Sequence, residues 1–373
     1  MLSVAQVGFF CDPLGRSPED LLSAWPTLVQ VAEAAAASGV RVTVLQASQH
    51  WDRLRRNDVE YHFLPFGGVA STGAGVAAFR DLAATLRPEV FHVHGLGFAR
   101  ELAALAAAAP GVPVLAQDHK DRPPRHFWRW PAVRRSLAAA RGVMFCAREQ
   151  ARPFQRLGLL PKRTRVYEVP EATCGFTALD QSEARTLSGV SGDPALLWVG
   201  HLDRNKDPLA VLDGVSLAAR HLPGLQLWCC FGSAPLMDKV RTRIDTDAML
   251  AGRVHLLGRV PHATIRTLMS AADFLVLGSH CEGSGYAVIE ALACGLPPIV
   301  TDIPSFRQMT AQGAAGRLWR LGDARALGQA LVQMAALPRT DLRTAARAQF
   351  ERELSSAALG RALRAAYLDA LRP

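Results

Sequence analysis

A glycine-rich turn between two glutamates is the segment of this sequence whose residue types and spacing are best suited to chemistry. Residues 283–285 read Gly-Ser-Gly, and Glu282 and Glu290 flank them eight positions apart in CEGSGYAVIEALACG. Small residues at a helix start let backbone N–H groups approach an anion, and the helix dipole adds about half a positive charge there. The turn therefore predicts a binding site for a diphosphate, with the carboxylate of Glu290 placed to accept hydrogen bonds from a ribose diol.

The competing interpretation is that both glutamates are solvated surface acids and that the glycines only form a turn. Two glutamates at a single spacing are common, so the spacing alone would favour this interpretation. The surrounding pattern decides against it, because DFLVLGS before the turn and PPIVT after the helix each predict a strand. In an open parallel sheet, ligands bind beyond the carboxyl ends of the strands, and the turn follows such an end.

A second loop supplies cations. The run LLWVG leads into HLDRNKDPLAVLDGV, where Arg204 and Lys206 precede a helix that begins at Pro208. Cations there can neutralise the diphosphate of a departing nucleotide, and stabilising the charge of a leaving group is usually the largest single catalytic term. Lys206 is the leading candidate for that role. The alternative, an exposed loop lysine, would be preferred if the loop stood alone.

The elements that must position these loops form two series of alternating strands and helices. The chain has 373 residues, of which 49% are hydrophobic and 20% charged, enough to bury two cores. The alternation predicts an α/β fold of two Rossmann-like, doubly wound parallel-sheet domains. We expect residues 1–172 to form the first domain, 173–194 the connection, 195–350 the second domain, and 351–373 a C-terminal helix with the first domain as its candidate packing surface.

The composition favours a cytoplasmic protein that needs neither metal nor another cofactor. The first residues lack a basic region and a cleavage pattern, and no apolar run reaches the ~18 residues of a membrane helix. The seven cysteines include no C-x-x-C pair, which indicates reduced core thiols. Residues 245–247 spell D-x-D, a manganese motif of another fold, but they fall in a helical stretch, where chance explains them.

Segment 120–141 concentrates positive charge in a chain whose formal net charge is +9. It reads KDRPPRHFWRWPAVRRSLAAAR, with Phe127, Trp128 and Trp130 among the basic residues. Such a stretch could bind an anionic membrane surface, peripherally on its inner face, or a phosphate-bearing molecule. It could equally be a solvated basic helix face. Nucleic acid is disfavoured as a partner, because no recognised nucleic-acid-binding motif accompanies the charge.

The segments from Val199 to Met309 resemble the retaining glycosyltransferases of family 4, which have the GT-B fold of two Rossmann-like domains facing across a cleft. The family's phosphate-binding loop is matched by VGHLDRNKDP, its nucleobase-contacting strand and turn by RVHLLGRVP, and its E-x7-E signature by EGSGYAVIEALACGLPPIVTDIPSFR. In the first domain the resemblance is looser and rests on HVHG at 92–95 and LAQDH at 115–119.

The resemblance implies roles for residues of the second domain. Lys206 would contact the phosphates of a nucleotide-sugar donor, the backbone near Val260 would contact the base, and Glu290 would hold the ribose. The family usually has an arginine where this chain has His201. Histidine carries less charge than arginine at neutral pH and offers no bidentate fork. Either Arg204 takes over that phosphate contact or the donor binds more weakly, and the sequence leaves both open.

The resemblance also implies which groups hold the transferred sugar. Glu282 would bind it together with the backbone at the helix start, which would also bind the β-phosphate. That backbone belongs to Gly283, Ser284, Gly285, Tyr286 and Ala287. From the first domain, His119 would reach the transferred sugar, and Gly15 would let the chain approach the diphosphate. Lys206, Glu282 and His119 are therefore the expected catalytic residues.

The implied activity is metal-independent transfer of a sugar from a nucleoside diphosphate sugar, of UDP or GDP type, to an acceptor hydroxyl with retention of anomeric configuration. Glycan, polysaccharide or glycolipid biosynthesis is the implied setting, and segment 120–141 suggests a lipid-linked or anionic acceptor. Two alternatives stay open. One is a nucleotide-sugar epimerase or hydrolase of the same fold; the other is a nucleotide-sugar-binding or scaffold protein with impaired catalysis, suggested by His201.

Overall fold

The computed structural model describes residues 1–66, 73–119 and 122–373. These residues divide into two units. The first comprises Met1–Thr173 together with Ser356–Pro373, and the second comprises Cys174–Ser355. The predicted segment 120–141 is described from residue 122 onward, so Lys120 and Asp121 lie outside the described residues.

An eight-stranded sheet forms the centre of the first unit. Its strands are β1 (Ser3–Gly8), β2 (Arg41–Ser48), β3 (Asp52–Arg56), β4 (Val59–Pro65), β5 (Val90–His94), β6 (Val114–Gln117), β7 (Gly142–Phe145) and β8 (Arg165–Glu168). They lie in the order β3-β4-β2-β1-β5-β6-β7-β8, and all neighbours are parallel except β3 and β4. The helices of this part of the chain are α1 (Pro18–Ala24), α2 (Pro26–Ala37), α3 (Gly73–Leu86), α4 (Ala99–Ala108), α5 (Trp130–Ala139) and α6 (Ala151–Arg156).

Apolar cores lie on both faces of this sheet. Strand β1 is buried at every position, and its side chains alternate between the cores: Val4 belongs to one, Ala5 and Val7 to the other. Burial on both faces explains why β1 is mostly apolar and does not alternate between apolar and polar residues. Strand β3 was not predicted. Its sequence, DRLRR, is charged and largely exposed, as is common for an edge strand.

The second unit contains a six-stranded sheet in which all neighbouring strands are parallel. Its strands are β9 (Ala195–Val199), β10 (Gln226–Cys230), β11 (Val254–Gly258), β12 (Phe274–Leu277), β13 (Pro298–Thr301) and β14 (Arg317–Trp319). They lie in the order β11-β10-β9-β12-β13-β14. The helices are α7 (Gln181–Ser188), α8 (Pro208–Ala219), α9 (Met237–Asp245), α10 (His262–Ala271), α11 (Tyr286–Ala293), α12 (Pro304–Met309), α13 (Ala324–Ala335) and α14 (Arg339–Gln349). The two doubly wound sheets confirm the predicted α/β fold.

Two stretches outside the sheets form helices that pack on other elements. Within segment 173–194, helix α7 packs on α10, and Arg185 forms an ion pair of 3.0 Å with Asp273, so this segment is folded into the second unit. Helix α14 passes through a π-turn at Phe350–Leu354 before Ser355 becomes extended. The last helix, α15 (Ser356–Ala370), then packs on α2 of the first unit. No helix in the described ranges is long and apolar enough to cross a membrane.

The strand order fixes where loops can form binding sites. In the first unit, β1 lies between β2 and β5, so connections leave on opposite sides of the sheet at the β1–β5 boundary. In the second unit the same reversal occurs between β9 and β12. Doubly wound sheets bind ligands at such a switch point, beyond the carboxyl ends of the strands. The loops that contain Lys206 and Glu282 follow β9 and β12, so the topology places both at that boundary.

Candidate active site

Lys206 and Glu282 meet in the second unit. The Lys206 ammonium forms an ion pair with Oε1 of Glu282. Their side chains are only 19% and 11% exposed, respectively, so solvent screens this pair less than a surface salt bridge. Residues 76 positions apart in the chain thus place opposite charges side by side at the switch point.

A hydrogen-bond network holds the two loops together. The side-chain amide of Asn205 donates to the carbonyl of Cys281 at 3.0 Å, and the Cys281 thiol donates to Oδ1 of Asn205 at 3.0 Å. The backbone N–H of His280 donates to the Asn205 carbonyl at 2.7 Å. Within the first loop, Oδ1 of Asp203 accepts from the backbone N–H groups of Asn205 and Lys206, both at 2.9 Å. The backbone that carries Lys206 is therefore fixed by several bonds.

The glycine-rich turn forms the start of α11 as predicted, with the helix beginning at Tyr286. Gly285 is the N-cap residue and has a φ of 54°, a left-handed conformation that favours glycine. A Cβ at this position would also lie 2.9 Å from the end of the Met309 side chain. Glycine offers no side chain to cap the first-turn N–H groups. The structure thus builds a helix N-terminus suited to an anion, flanked by half-buried Gly283, Ser284 and Ala287.

Glu290 lies inside α11 and contacts His262 instead of the Lys206 pair. It is 7% exposed, and its Oε1 is 2.5 Å from Nε2 of His262, the first residue of α10. Burial raises the pKa of Glu290, while the hydrogen bond and charge of His262 oppose that shift. The ring of His262 also packs on Phe176 at a centroid distance of 4.9 Å. Sequence reasoning missed His262, although it stands two residues after the predicted Val260.

The remaining predicted donor contacts lie at the ends of β9 and β11. His201 is exposed, and its Nδ1 accepts a hydrogen bond of 3.2 Å from the backbone N–H of Ser233, which leaves Nε2 as the ring's donor. Arg204 is exposed and has no ion-pair partner in the described part of the chain. Val260 is half-buried in the turn after β11. An unpredicted cation, Arg259, and His201 both approach Gly232, where an added Cβ would lie 3.5 Å from each side chain.

In the first unit, His119 belongs to a polar cluster at the carboxyl ends of β5, β6 and β8. Its Nδ1 bonds to Oε2 of Glu171, and its Nε2 is 3.3 Å from Nδ1 of His94. The rings of His94 and His119 stack with an interplanar angle of 24°. Glu171 is 2% exposed, and its other oxygen accepts from the Cys146 thiol at 3.6 Å. The sequence did not reveal Glu171, which follows a strand but belongs to no recognised motif.

Behind this cluster, His92 connects the sheet to the C-terminal helix. Its Nδ1 is 2.8 Å from the hydroxyl of Tyr367, and its Nε2 is 3.1 Å from Oε1 of Gln117. Burial, and secondarily the charge of His119, lower the pKa of His92 to about 3. Burial also lowers the pKa of His94 well below its ordinary value, with His92 and His119 contributing. Both inner rings are therefore neutral at physiological pH.

Gly15 lies in the loop after β1. Its φ is +59°, and its N–H donates to the carbonyl of Asp12 at 3.2 Å. The Asp12 carboxylate accepts from the backbone N–H groups of Leu14 and Arg16 at 3.2 and 3.1 Å. The loop is a compact turn in which a Cβ at position 15 would lie 2.8 Å from the Gln49 side chain. The structure explains the glycine by turn geometry and close packing.

A cavity of about 750 Å³ opens beside this loop, entirely within the first unit. Aromatic side chains form much of its wall, and Arg100, Arg129 and Glu101 are among its polar groups; the aromatic members are Phe9, Phe10, Phe66, Phe98 and Trp128. The predicted basic segment supplies Trp128 and Arg129. Phe127 and Trp128 are 69% and 64% exposed, whereas Trp130 is half-buried and packs against the apolar core.

The structure accounts for the D-x-D sequence at 245–247 without a metal. Asp247 accepts hydrogen bonds from Ser216 and Arg243, both at 2.7 Å, and these bonds with backbone contacts lower its pKa to about 2. It therefore ties α9 to α8. In the described ranges, no group of three or more His, Cys, Asp or Glu side chains is arranged to hold a metal ion. All seven cysteines are free thiols.

The chain is similar to known glycosyltransferases. Two family descriptions match the chain: "Glycosyl transferases group 1" over residues 193–336 and "Glycosyltransferase Family 4" over residues 26–168. One relative, the 2-deoxystreptamine N-acetyl-D-glucosaminyltransferase of Streptomyces fradiae, is 29% identical over 69% of this chain and 65% of its own length. Another, the GDP-mannose:cellobiosyl-diphosphopolyprenol alpha-mannosyltransferase of Xanthomonas oryzae pv. oryzae, is 24% identical over 61% of this chain and 60% of its own length.

Both matches span less than two thirds of the relative's length. Among solved structures, HepE of Anabaena, crystallised with UDP, superposes with a TM-score of 0.74 over 99% of this chain and 100% of its own, at 16% identity. At that identity the likeness establishes the fold alone.

Proposed function

Since the chain belongs to the glycosyltransferases of family 4 and has their GT-B fold, we propose that it transfers a sugar from a nucleoside diphosphate sugar to an acceptor hydroxyl with retention of anomeric configuration. The donor is of UDP or GDP type, and the setting is glycan, polysaccharide or glycolipid biosynthesis. The observation that carries the proposal is the Lys206–Glu282 pair beside the α11 N-terminus.

The diphosphate is proposed to bind between Lys206 and the first turn of α11. Backbone N–H groups in the first turn of a helix can donate to an anion, and the helix dipole adds to the attraction. Lys206 has three N–H donors, so it can bond to a phosphate oxygen while keeping Glu282 as a partner. That carboxylate holds the ammonium in place before the donor arrives, which reduces reorganisation when negative charge develops on the leaving group.

The nucleoside is proposed to lie along α10 and α11. Glu290 would accept hydrogen bonds from the ribose hydroxyls, with His262 orienting its carboxylate. The backbone near Val260 would contact the base. His201 and Arg204 would contribute to phosphate binding, with Arg259 as a further nearby cation. These assignments are supported by the shared switch point and by the family match over residues 193–336.

In the proposed reaction, the oxygen of the acceptor hydroxyl bonds to the anomeric carbon as the bond from that carbon to the β-phosphate oxygen breaks. The acceptor proton passes to the departing phosphate on the same face of the sugar. The protein's contribution is to orient the reactants and stabilise the charge of the diphosphate, mainly through Lys206. Glu282 and His119 are proposed to bind hydroxyls of the transferred sugar, and the loop at Gly15 to approach the diphosphate. No metal ion is required in this scheme.

For the acceptor, we propose the aromatic cavity of the first unit. It lies beside the loops that follow β1 and β5, at the switch point of that sheet. The exposed aromatic rings and the arginines of residues 122–141 support a lipid-linked or anionic acceptor and a peripheral contact with an anionic membrane of the cytoplasmic face. A membrane contact would place Phe127 and Trp128 at the lipid headgroups.

One observation favours a second candidate, a protein that binds nucleotide sugars without transferring them. His201 occupies a position at which this family usually has arginine, and its Nδ1 is already engaged by Ser233. A panel of UDP and GDP sugars, tested first for thermal stabilisation and then for transfer in the presence of EDTA, separates the two. Stabilisation followed by transfer supports the enzyme. Stabilisation without turnover across the acceptors supports the binding protein, and no stabilisation by any member contradicts both.

A further inference from the structure

Glu171 is a buried carboxylate whose partners are unusual for its charge. It is 2% exposed, and no lysine or arginine lies within ion-pair distance of it in the ranges that the structure describes. Its oxygens face His119 and the Cys146 thiol. Burying a carboxylate without hydrogen bonds is strongly unfavourable. The bonds to His119 and Cys146 therefore both stabilise Glu171 in its buried position.

The second contact is a thiol that stays protonated. Burial, followed by the charge of Glu171, raises the pKa of Cys146 well above its ordinary value. The S–H group therefore remains a donor to Oε1 of Glu171. Oε2 is left to accept from His119, which must carry a proton on Nδ1 for that bond to form.

The other ring nitrogen of His119 is also constrained. Its Nε2 faces Nδ1 of His94 at 3.3 Å, and His94 is a neutral ring stacked on it. The imidazole is thus held at both nitrogens. Without Glu171, a ring whose side chain is 29% exposed would gain alternative rotamers and the alternative tautomer.

We infer that Glu171 is a positioning residue for His119: its buried carboxylate fixes the proton on Nδ1 and the ring orientation, while Cys146 secures the carboxylate from its other side. The catalytic consequence rests on the proposed role of His119 in binding the transferred sugar. Losing the partner that orients a metal-bound histidine typically costs about ten- to a hundredfold in activity, and we expect an effect of that size for the Glu171–His119 pair. A Glu171 substitution that impaired only folding would lower the melting temperature instead of kcat.

The test is a double-mutant cycle with a spectroscopic measurement. Glu171→Gln is combined with His119→Ala, and Cys146→Ala serves as the matched control because it removes only the weak thiol bond to the same carboxylate. The expected result is a fall in kcat of about ten- to a hundredfold for Glu171→Gln, with the donor KM and the melting temperature little changed. On the His119→Ala background the same substitution should cause no further loss. Cys146→Ala should lower kcat far less.

Nitrogen NMR of the unmodified protein tests the pairing without any variant or activity. The His119 signals should report protonated Nδ1 bound to a strong acceptor. The proposal is overturned if NMR shows the proton only on Nε2, if Glu171→Gln retains full kcat, or if it lowers kcat equally with and without His119. If His119→Ala transfers sugar normally, the proposed function of His119 fails, whereas the NMR result still decides whether Glu171 positions its ring.

Discussion

The two units arrange their polar groups in opposite ways. The second unit places a full positive and a full negative charge together at its switch point, through Lys206 and Glu282. The first unit instead places two neutral rings, of buried His92 and half-buried His94, behind a single histidine held by Glu171. Full charge suits a diphosphate, whose binding and departure are electrostatic, whereas fixed hydrogen-bond direction suits recognition of sugar hydroxyls. We therefore expect substitutions in the second unit to impair binding and departure of the diphosphate, and those in the first unit to impair recognition of sugar hydroxyls.

The largest effect is expected from Lys206→Ala. Removing a donor that stabilises leaving-group charge typically costs about 2.7–4 kcal/mol, so kcat should fall by about a hundred- to a thousandfold. The Glu282 carboxylate is only 11% exposed, so removing the cation beside it should also lower the melting temperature. Steady-state kinetics and thermal melting measure both, with the exposed helix residue changed in Lys239→Ala as the control. Near-normal turnover by Lys206→Ala would contradict the proposal that Lys206 stabilises the departing diphosphate.

Glu290→Gln should weaken donor binding more than it slows chemistry. The substitution keeps the shape but loses hydrogen bonds to a charged acceptor, each worth about 1.5–3 kcal/mol. The KM of the nucleotide sugar should therefore rise by about ten- to a hundredfold while kcat changes less. Initial rates at varied donor concentration give both quantities, and the exposed Glu353→Gln provides the control. A change in kcat with unaltered KM contradicts a ribose-anchoring role.

Acid should destabilise the first unit through His92. Its pKa falls from an ordinary 6.5 to about 3 in the fold, so below pH 6.5 the unfolded chain binds a proton that the folded chain does not. Stability is therefore lost as pH decreases from about 6.5 toward about 3. Thermal melting across that range should show a shallower acid slope for His92→Gln than for the parent or for exposed His50→Gln. Equal slopes in all three would show that His92 is not the titrating group.

The smallest effect is expected at the basic segment. Changing Arg134 and Arg135, which are exposed and do not line the cavity, together to Gln should reduce sedimentation with anionic vesicles, because each basic residue near such a surface contributes about 1 kcal/mol. Vesicles of neutral lipid serve as the control, and transfer to a water-soluble acceptor should persist. Unchanged sedimentation with anionic vesicles would contradict the proposed membrane contact.

Local pattern explains why the second unit was more predictable than the first. The strands, the glycine turn and the helix that follow one another at 274–301 are specified by local sequence alone, and α11 begins at Tyr286, directly after that turn. Lys206 follows a strand of the same kind. Topology then brings these two loops together, because β9 and β12 are neighbours in the sheet.

The missed groups depend on contacts between distant positions. Glu171 meets His119 across 52 residues, and His262 meets Glu290 across 28. Neither pairing leaves a periodic or compositional signal in the chain. The C-terminal helix is similar: spacing predicted that it is helical, but only packing shows that Tyr367 bonds to His92. Strand β3 was missed because its charged sequence resembles a surface turn.

NMR of the product formed from an anomerically pure donor shows whether the protein transfers sugar with retention of configuration. The donors that stabilise the protein against heat are incubated with sugar, cyclitol and lipid-linked acceptors, using the parent protein and Lys206→Ala. We expect a new glycosidic linkage with the donor's anomeric configuration. The parent protein should form it at least about a hundredfold faster than Lys206→Ala. An inverted linkage, or equal rates for the two proteins, would contradict it.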